Sequence, residues 1–301
     1  MATALLSLTP AHLPRLRGLC EACFPEDPFN EELLSGHIFG DPRFEPELAV
    51  VVERDGCLAA VAVSVIRTVP EDGRQGWLKL LAVDPAYRGR GLAKGMLGEL
   101  EDRFRARQAV DFTTLGAPYY FWPGVEVCRT PACCLFERLG FKEQRYTVNM
   151  IVDLAGQTFD TAADELRLAR EGFAFHRSDA TSLPAVNAFV GRYWRPWCDE
   201  TVLTLANDPV SMFHAIRDGE VVAFAAYDAV MFRGTFGPMG TDPSLRGKGI
   251  GDVLLKKCFR DMKDFSYPRA EIAWVGPVGF YAKRIGAVIH RVFRVYGKGL
   301  G

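Results

Sequence analysis

The sequence predicts two α/β domains in tandem, each with a mixed sheet, and three observations carry that prediction. The stretch "DPAYRGRGLAKGML" at 84–97 returns as "DPSLRGKGIGDVLL" at 242–255. Two runs of alternating apolar residues fold over an Asp-Gly pair, "LAVVVERDGCLAAVAVSV" at 48–65 and "MFHAIRDGEVVAFAAYDAV" at 212–230. The strand-like and helix-like segments around these landmarks follow the same order in both halves, which is the mark of a long internal repeat.

Each half opens on a short alternating strand, "ALLSL" at 4–8 and "FAFHR" at 173–177. A helix carrying Leu-Pro follows, at Leu13 and Pro14 and again at Leu183 and Pro184. Next come bulky segments, "CFPEDPFNEELL" at 23–34 and "RYWRPWCDETVL" at 192–203. The Asp-Gly pairs are strong hairpin signals, because a tight primed turn demands positive φ, which glycine accepts without strain. A further strand, "WLKLLAV" at 77–83 or "GTFGPMGT" at 234–241, leads into the glycine turn. An apolar helix leaves it: Ala93, Met96, Leu97, Leu100 and Phe104 recur at helical spacing, as do Ile250, Leu254, Cys258 and Met262. Each half ends with a strand ("VDFTTL", "AEIAWV"), a helix closed by Gly140 or Gly286, and a last strand ("RYTVNMIVDL", "VIHRVFRVYGK"). The expected domains are 1–154 and 173–301, joined by a partly helical connection at 155–172.

Composition narrows the function. The 301 residues suit about two domains. With 36 basic and 37 acidic side chains the net charge is −1, so no global basic field favours nucleic acid and nothing tethers the chain to an anionic membrane. The apolar runs are of strand length, and no basic region precedes the first of them, so the N-terminus reads as a strand rather than a signal peptide. A cytoplasmic protein is expected. Cys20 and Cys23 form a C-x-x-C, but no second pair or nearby histidine completes a zinc site, so they read as packing residues.

The glycine turns carry the chemistry. Asp-Pro ends the preceding strand, and two glycines let the backbone turn sharply and approach a ligand. The helix that starts there points unpaired amides and the positive end of its dipole into the turn. Arg88 and Arg90, or Arg246 and Lys248, add charge at the rim. The result is an anion site sized for a pyrophosphate. A lone G-x-G is ordinarily a surface turn. A dinucleotide-binding turn needs its first glycine at the strand end inside a βαβ unit; here a proline and a four-residue arm intervene, and hairpins precede the site.

The runs Arg88-Gly89-Arg90-Gly91-Leu92-Ala93 and Arg246-Gly247-Lys248-Gly249-Ile250-Gly251 resemble the Arg/Gln-x-x-Gly-x-Gly/Ala signature of the GNAT superfamily of acyl-CoA N-acyltransferases. The order of elements is also similar, over nearly the whole chain. The resemblance implies a tandem GNAT protein. It implies that these turns hold the pyrophosphate of acetyl-CoA, and that Leu81, Ala82 and Val83, with Met239, Gly240 and Thr241, border the pantetheine arm where their strand splays from its neighbour. The family often supplies a Tyr as acid for the leaving thiolate, four residues before the late-helix glycine. Phe136 stands there in the first half and Ala282 in the second, with Tyr281 adjacent, one extra residue before the glycine. Tyr281 becomes the candidate acid if a local π-bulge carries it to the sulfur. Glu271, on the strand "AEIAWV", is the candidate base, against a plain strand-edge charge. Tyr119 and Tyr120, with Glu126, either line an acceptor channel or pack in the loop, and packing is the default reading. Tyr193, Trp194, Trp197, Asp199 and Glu200 either wall a site for a small-molecule amine acceptor or pack between the domains. The expected activity is acetyl transfer from acetyl-CoA to such an amine. The rival is a duplicated acyl-CoA-binding module without turnover.

Overall fold

The computed structural model describes residues 4–69, 72–116 and 118–301. It contains strands β1 (Leu6–Ser7), β2 (Ala49–Arg54), β3 (Cys57–Val69), β4 (Gly73–Val83), β5 (Asp111–Thr113), β6 (Val125–Glu126), β7 (Lys142–Asp153), β8 (Phe173–Arg177), β9 (Met212–Arg217), β10 (Glu220–Tyr227), β11 (Thr235–Thr241), β12 (Arg269–Ile272) and β13 (Val288–Gly299). The α-helices are α1 (Leu13–Cys23), α2 (Glu31–Leu34), α3 (Leu92–Ala106), α4 (Thr130–Arg138), α5 (Ala162–Ala169), α6 (Leu183–Tyr193), α7 (Cys198–Leu203), α8 (Ile250–Asp264) and α9 (Val278–Ile285).

Two compact units result, and their limits depart from those expected at 154 and 172. One comprises the chain up to Thr147 together with Val292–Gly301; the other is Val148–Arg291. The cause lies in the last strand of each half. Gly297, Lys298 and Gly299 of β13 pair with Thr113, Phe112 and Asp111 of β5, in the first unit. Met150, Ile151, Val152 and Asp153 of β7 pair with β12, in the second. Each half therefore lends the end of its closing strand to the other unit. The connection at 155–172 belongs to the second unit and holds α5.

In the first unit β1, β2, β3 and β4 form an antiparallel series. The β2–β3 turn has positive φ at Asp55 (53°) and Gly56 (77°), as a primed turn requires. β5 then joins β4 in parallel, but only over Gln75–Trp77. Helix α3 covers one face: Met96, Leu97, Leu100 and Phe104 are fully buried against Ala60, Ala62, Ile66 and Leu78. Each such aliphatic or aromatic side chain contributes about 1.5–3 kcal/mol through burial. Gly76 lets α3 come that close, since a Cβ there would stand 2.4 Å from the Phe104 ring.

The second unit repeats the plan. Strands β8, β9, β10 and β11 are antiparallel, with Asp218 (φ 52°) and Gly219 (φ 82°) at the hairpin turn. β12 joins β11 in parallel at Thr235 and Phe236 alone. From α8, Val253, Leu254, Cys258 and Met262 pack on Ala223, Ala225 and Phe236. The fold is the expected mixed α/β arrangement, present twice.

Candidate active site

The pairing pattern itself builds the cleft. In the first unit the parallel contact of β4 with β5 stops at Trp77, while β4 runs on to Val83. Leu81, Ala82 and Val83 keep their antiparallel bonds to β3 (Ala62, Val61, Ala60), so their other edge faces the divergence. In the second unit the contact stops at Phe236, and Met239, Gly240 and Thr241 pair with Ala225, Phe224 and Ala223 of β10. Diverging parallel strands leave main-chain donors and acceptors available to an extended ligand.

Each splayed strand delivers the chain into its glycine turn. Asp84 and Asp242 accept from the amides of Ala86 and Ser244, which fixes the bend after the strand. The glycines adopt the left-handed region: Gly89 75°, Gly91 78°, Gly247 83° and Gly249 95°. Gly91 and Gly249 are the N-caps of α3 and α8 and bring no side-chain oxygen, so the first helical amides stay available. Leu92 and Ile250 point into the cores; Arg88, Arg90, Arg246 and Lys248 are exposed, and Ala93 and Gly251 lie half-buried just inside the helices. These features fit a phosphate-bearing ligand: two aligned amide nests, no competing cap, and cations at the rim.

The rims differ. Arg88 donates from Nε to the Val83 carbonyl (3.0 Å), and Arg90 donates to the Ala86 carbonyl (3.1 Å) and lies over the Tyr87 ring. Arg246 makes no hydrogen bond or ion pair among the described residues.

Tyr281 sits on the buried face of α9 with its ring edge-on to Phe236 (6.2 Å) and Phe280 (5.1 Å). Its hydroxyl makes no hydrogen bond among the described residues, and burial pushes the phenol well above its ordinary pKa. It is therefore a neutral O–H with a free proton at physiological pH. The expected π-bulge is not what brings it there. α9 is α-helical throughout, and the extra residue is absorbed at its end, where the Gly286 amide is shared between Ala282 and Tyr281 carbonyls. A π-helical turn occurs elsewhere, at Ser35–Phe39. Phe136 is the last buried residue of α4, as Tyr281 is the last but one of α9; it stacks on Tyr296 (5.6 Å) and carries no proton.

Glu271 lies on β12 opposite Thr235, at the last paired position but one before the strands diverge. Its neighbours Ala270 and Ile272 enter the core under α8, so strand alternation sends Glu271 to the other face. There it accepts from Asn149 Nδ2 (2.6 Å). Asn149 is fully buried, and its Oδ1 accepts from the Trp274 amide (2.8 Å), so one amide side chain fixes both the carboxylate and the strand end. Asn149 is not among the sequence-level candidates; its signal there is the one amide side chain in "YTVNMIV".

On that face Trp194 lies against β11, where a Cβ on Gly240 would stand 2.3 Å from its ring, and stacks on Trp197 at 5.3 Å. Tyr193 donates to Asp242 (2.8 Å), tying α6 to the turn. These aromatics pack on their own unit's sheet. Asp199 is half-buried and Glu200 buried.

The equivalent face of the first unit holds a buried ion pair that is also absent from the sequence-level candidates. Lys79 Nζ contacts Asp41 Oδ2 (2.5 Å) and donates to the His37 carbonyl (2.6 Å), with both charged side chains fully buried. Burial brings Lys79 down to about 8, with Asp41 opposing. A single lysine inside "WLKLLAV" was the clue. Tyr119 and Tyr120 are buried in the loop beside it, as expected, and Glu126 is half-buried in β6. Cys20 and Cys23 are buried on α1, and among the described residues no group of three or more His, Cys, Asp or Glu side chains could hold a metal. No described helix is long and apolar enough to cross a membrane.

Two α/β units, each with a parallel strand pair that diverges and leads into a glycine-capped turn, repeat one architecture along the chain. The acetyltransferase (GNAT) family model matches twice, over 13–141 and 176–287, and the chain belongs to that family. Among solved structures, a GCN5-related glucosamine N-acetyltransferase region of a fungal multi-domain β-N-acetylglucosaminidase superposes with a TM-score of 0.79 at 19% identity, covering 99% of this chain and 38% of that one. A GCN5-related N-acetyltransferase from Sphaerobacter thermophilus (TM-score 0.70, 18% identity, 99% and 96% covered) is similar too. So is a tandem GNAT protein from the clavulanic acid biosynthesis pathway (0.71, 12%, 99% and 98%). No curated protein matches the sequence.

Proposed function

We propose that the protein transfers an acetyl group from acetyl-CoA to the primary amine of a small molecule, and that the second unit performs the chemistry. The observation that carries this is the conjunction, in one unit, of diverging strands, a glycine-capped turn, an unbonded buried phenol and an anchored carboxylate. An alkyl ammonium has a pKa near 10.4 and must lose a proton before it attacks. Glu271, held by Asn149, takes that proton directly or through one water. The new N–C bond forms as the C–S bond breaks, and Tyr281 gives its proton to the leaving sulfur. The phosphates rest on the amides at 246–251, and the pantetheine arm borrows main-chain bonds from Met239, Gly240 and Thr241.

The first unit supports a second reading, acyl-CoA binding without turnover. Phe136 offers no proton, and Lys79 and Asp41 occupy each other on the face where an amine would enter. The test is thiol release from acetyl-CoA across polyamines, amino acids, aminoglycosides and amino sugars, with Arg88→Glu and Arg246→Glu variants. Arg246→Glu should abolish turnover while Arg88→Glu leaves it. Release with no free amine, while CoA still binds, would favour the binding module; acetylation of bulk peptide alone would favour a protein-lysine acceptor. If neither arginine variant weakens CoA binding, the turns have another role.

A further inference from the structure

The connecting segment reaches the glycine turn of its own unit. Arg167, on α5, donates from Nη2 to the Lys248 carbonyl at 3.0 Å, inside the turn. The same nitrogen stands 3.0 Å from where a Cβ on Gly249 would lie, so Gly249 makes room for this guanidinium as well as for the helix cap. Arg167 is also in loose contact with Asp164 (3.3 Å) and Glu171 (3.4 Å). Glu171 in turn pairs with Lys248 Nζ at 3.0 Å. A third carboxylate, Asp252 in the first turn of α8, is engaged by Lys256 (3.0 Å). In the first unit Arg88 bonds to the Val83 carbonyl and, at 3.9 Å, to Cys23 Sγ on α1, and Arg90 bonds to the Ala86 carbonyl.

We infer that α5 is part of the second cofactor site: Arg167 contacts a phosphate of the bound acyl-CoA, and Glu171 is the counter-ion that this phosphate displaces from Lys248. The inference rests on the acyl-CoA reading of the turn and extends it to a residue outside the repeated motif. A guanidinium has five donors in a planar fork, and its three partners here leave donors for a phosphate oxygen. Its bonds to the two carboxylates are long, so a doubly charged phosphate beside the helix amides competes well for it. Lys248, freed of Glu171, turns to the same anion. The phosphate is either the pyrophosphate or the 3′-phosphate of the ribose.

Calorimetric titration of the full-length protein tests this. Arg88→Glu is used as the parent, so that the isotherm reports the second turn. Adding Arg167→Gln should weaken CoA binding about tenfold, the worth of one charge-assisted hydrogen bond. Arg167→Lys should restore part of the loss. Glu171→Gln should leave affinity unchanged or tighten it, because the competitor is gone. With dephospho-CoA, a penalty that vanishes assigns Arg167 to the 3′-phosphate, and one that persists assigns it to the pyrophosphate. Equal affinities for the parent and the folded Arg167→Gln variant would overturn the inference while leaving the turn a cofactor site. No CoA binding by the wild-type protein would overturn the reading of the turns, and this inference with it.

Discussion

Replacing Tyr281 by Phe removes one oxygen and separates chemistry from packing. The ring is 5% exposed and wedged between Phe236 and Phe280, contacts that phenylalanine keeps. Because the hydroxyl bonds to nothing in the described protein, its loss should change stability by less than about 1 kcal/mol. That corresponds to roughly 2–4 °C in Tm for a unit of this size. A general acid contributes about 10²–10⁴ to rate, so kcat should fall at least about a hundredfold, equivalent to about 2.7 kcal/mol of barrier. Affinity for CoA should hold, since the turn amides and strand main chain are untouched. The raised phenol pKa means that Tyr281 stays protonated through the neutral range, so its own alkaline limb lies above the ordinary value of about 10. Steady-state thiol release, calorimetric CoA titration and thermal melting on the same preparations read all three quantities. A kcat within twofold of wild type, at unchanged Tm and CoA affinity, would refute Tyr281 as the acid.

Other substitutions probe the supports of each site. Asn149→Ala removes one donor from Glu271 and the side-chain acceptor of the Trp274 amide; we expect a loss of about 1–3 kcal/mol in chemical denaturation and an altered acid limb of the pH–rate profile. Asp41→Ala leaves the Lys79 ammonium buried without its carboxylate, which should cost about 3–5 kcal/mol; a loss below 1 would mean that the pair is not buried as described. Lys79 titrates lower in the folded than in the unfolded chain, so the unfolded chain binds more protons between about 8 and the ordinary lysine value. Stability relative to Lys79→Met should therefore rise with pH across that window. Gly240→Ala drives a methyl into the Trp194 ring and should destabilise by about 1–3 kcal/mol, read as a lower Tm and altered tryptophan fluorescence.

Much of this architecture was legible because it rests on local rules. The Asp-Gly turns, the Leu-Pro helix starts and the paired glycine turns each announce themselves within a few residues, and all appear where the sequence placed them. The backbone of the glycine turns was readable for the same reason: positive φ at Gly89, Gly91, Gly247 and Gly249 is a local property of those residues. What escaped depends on contacts distant in sequence. Lys79 meets Asp41, Asn149 meets Glu271 and Arg167 meets Lys248 across many residues, and no periodicity reports such pairings. The unit limits escaped for a related reason, since a strand's pattern shows that it is a strand but not which neighbour it chooses. Tyr281 stands out in the sequence by its type and its distance from Gly286, and the helix end accommodates the extra residue differently from the expected bulge.

The crossed closing strands also set an order of assembly. The sheet of the first unit includes Gly297, Lys298 and Gly299, which the chain reaches only after the whole of the second unit. A nascent chain released through residue 154 already carries the first glycine turn and still lacks the strand that pairs with β5. Neither half is thus a self-sufficient translation product, and cutting the connection after Leu154 would separate each unit from part of its own sheet. The first sheet can therefore close only after the second unit has been made.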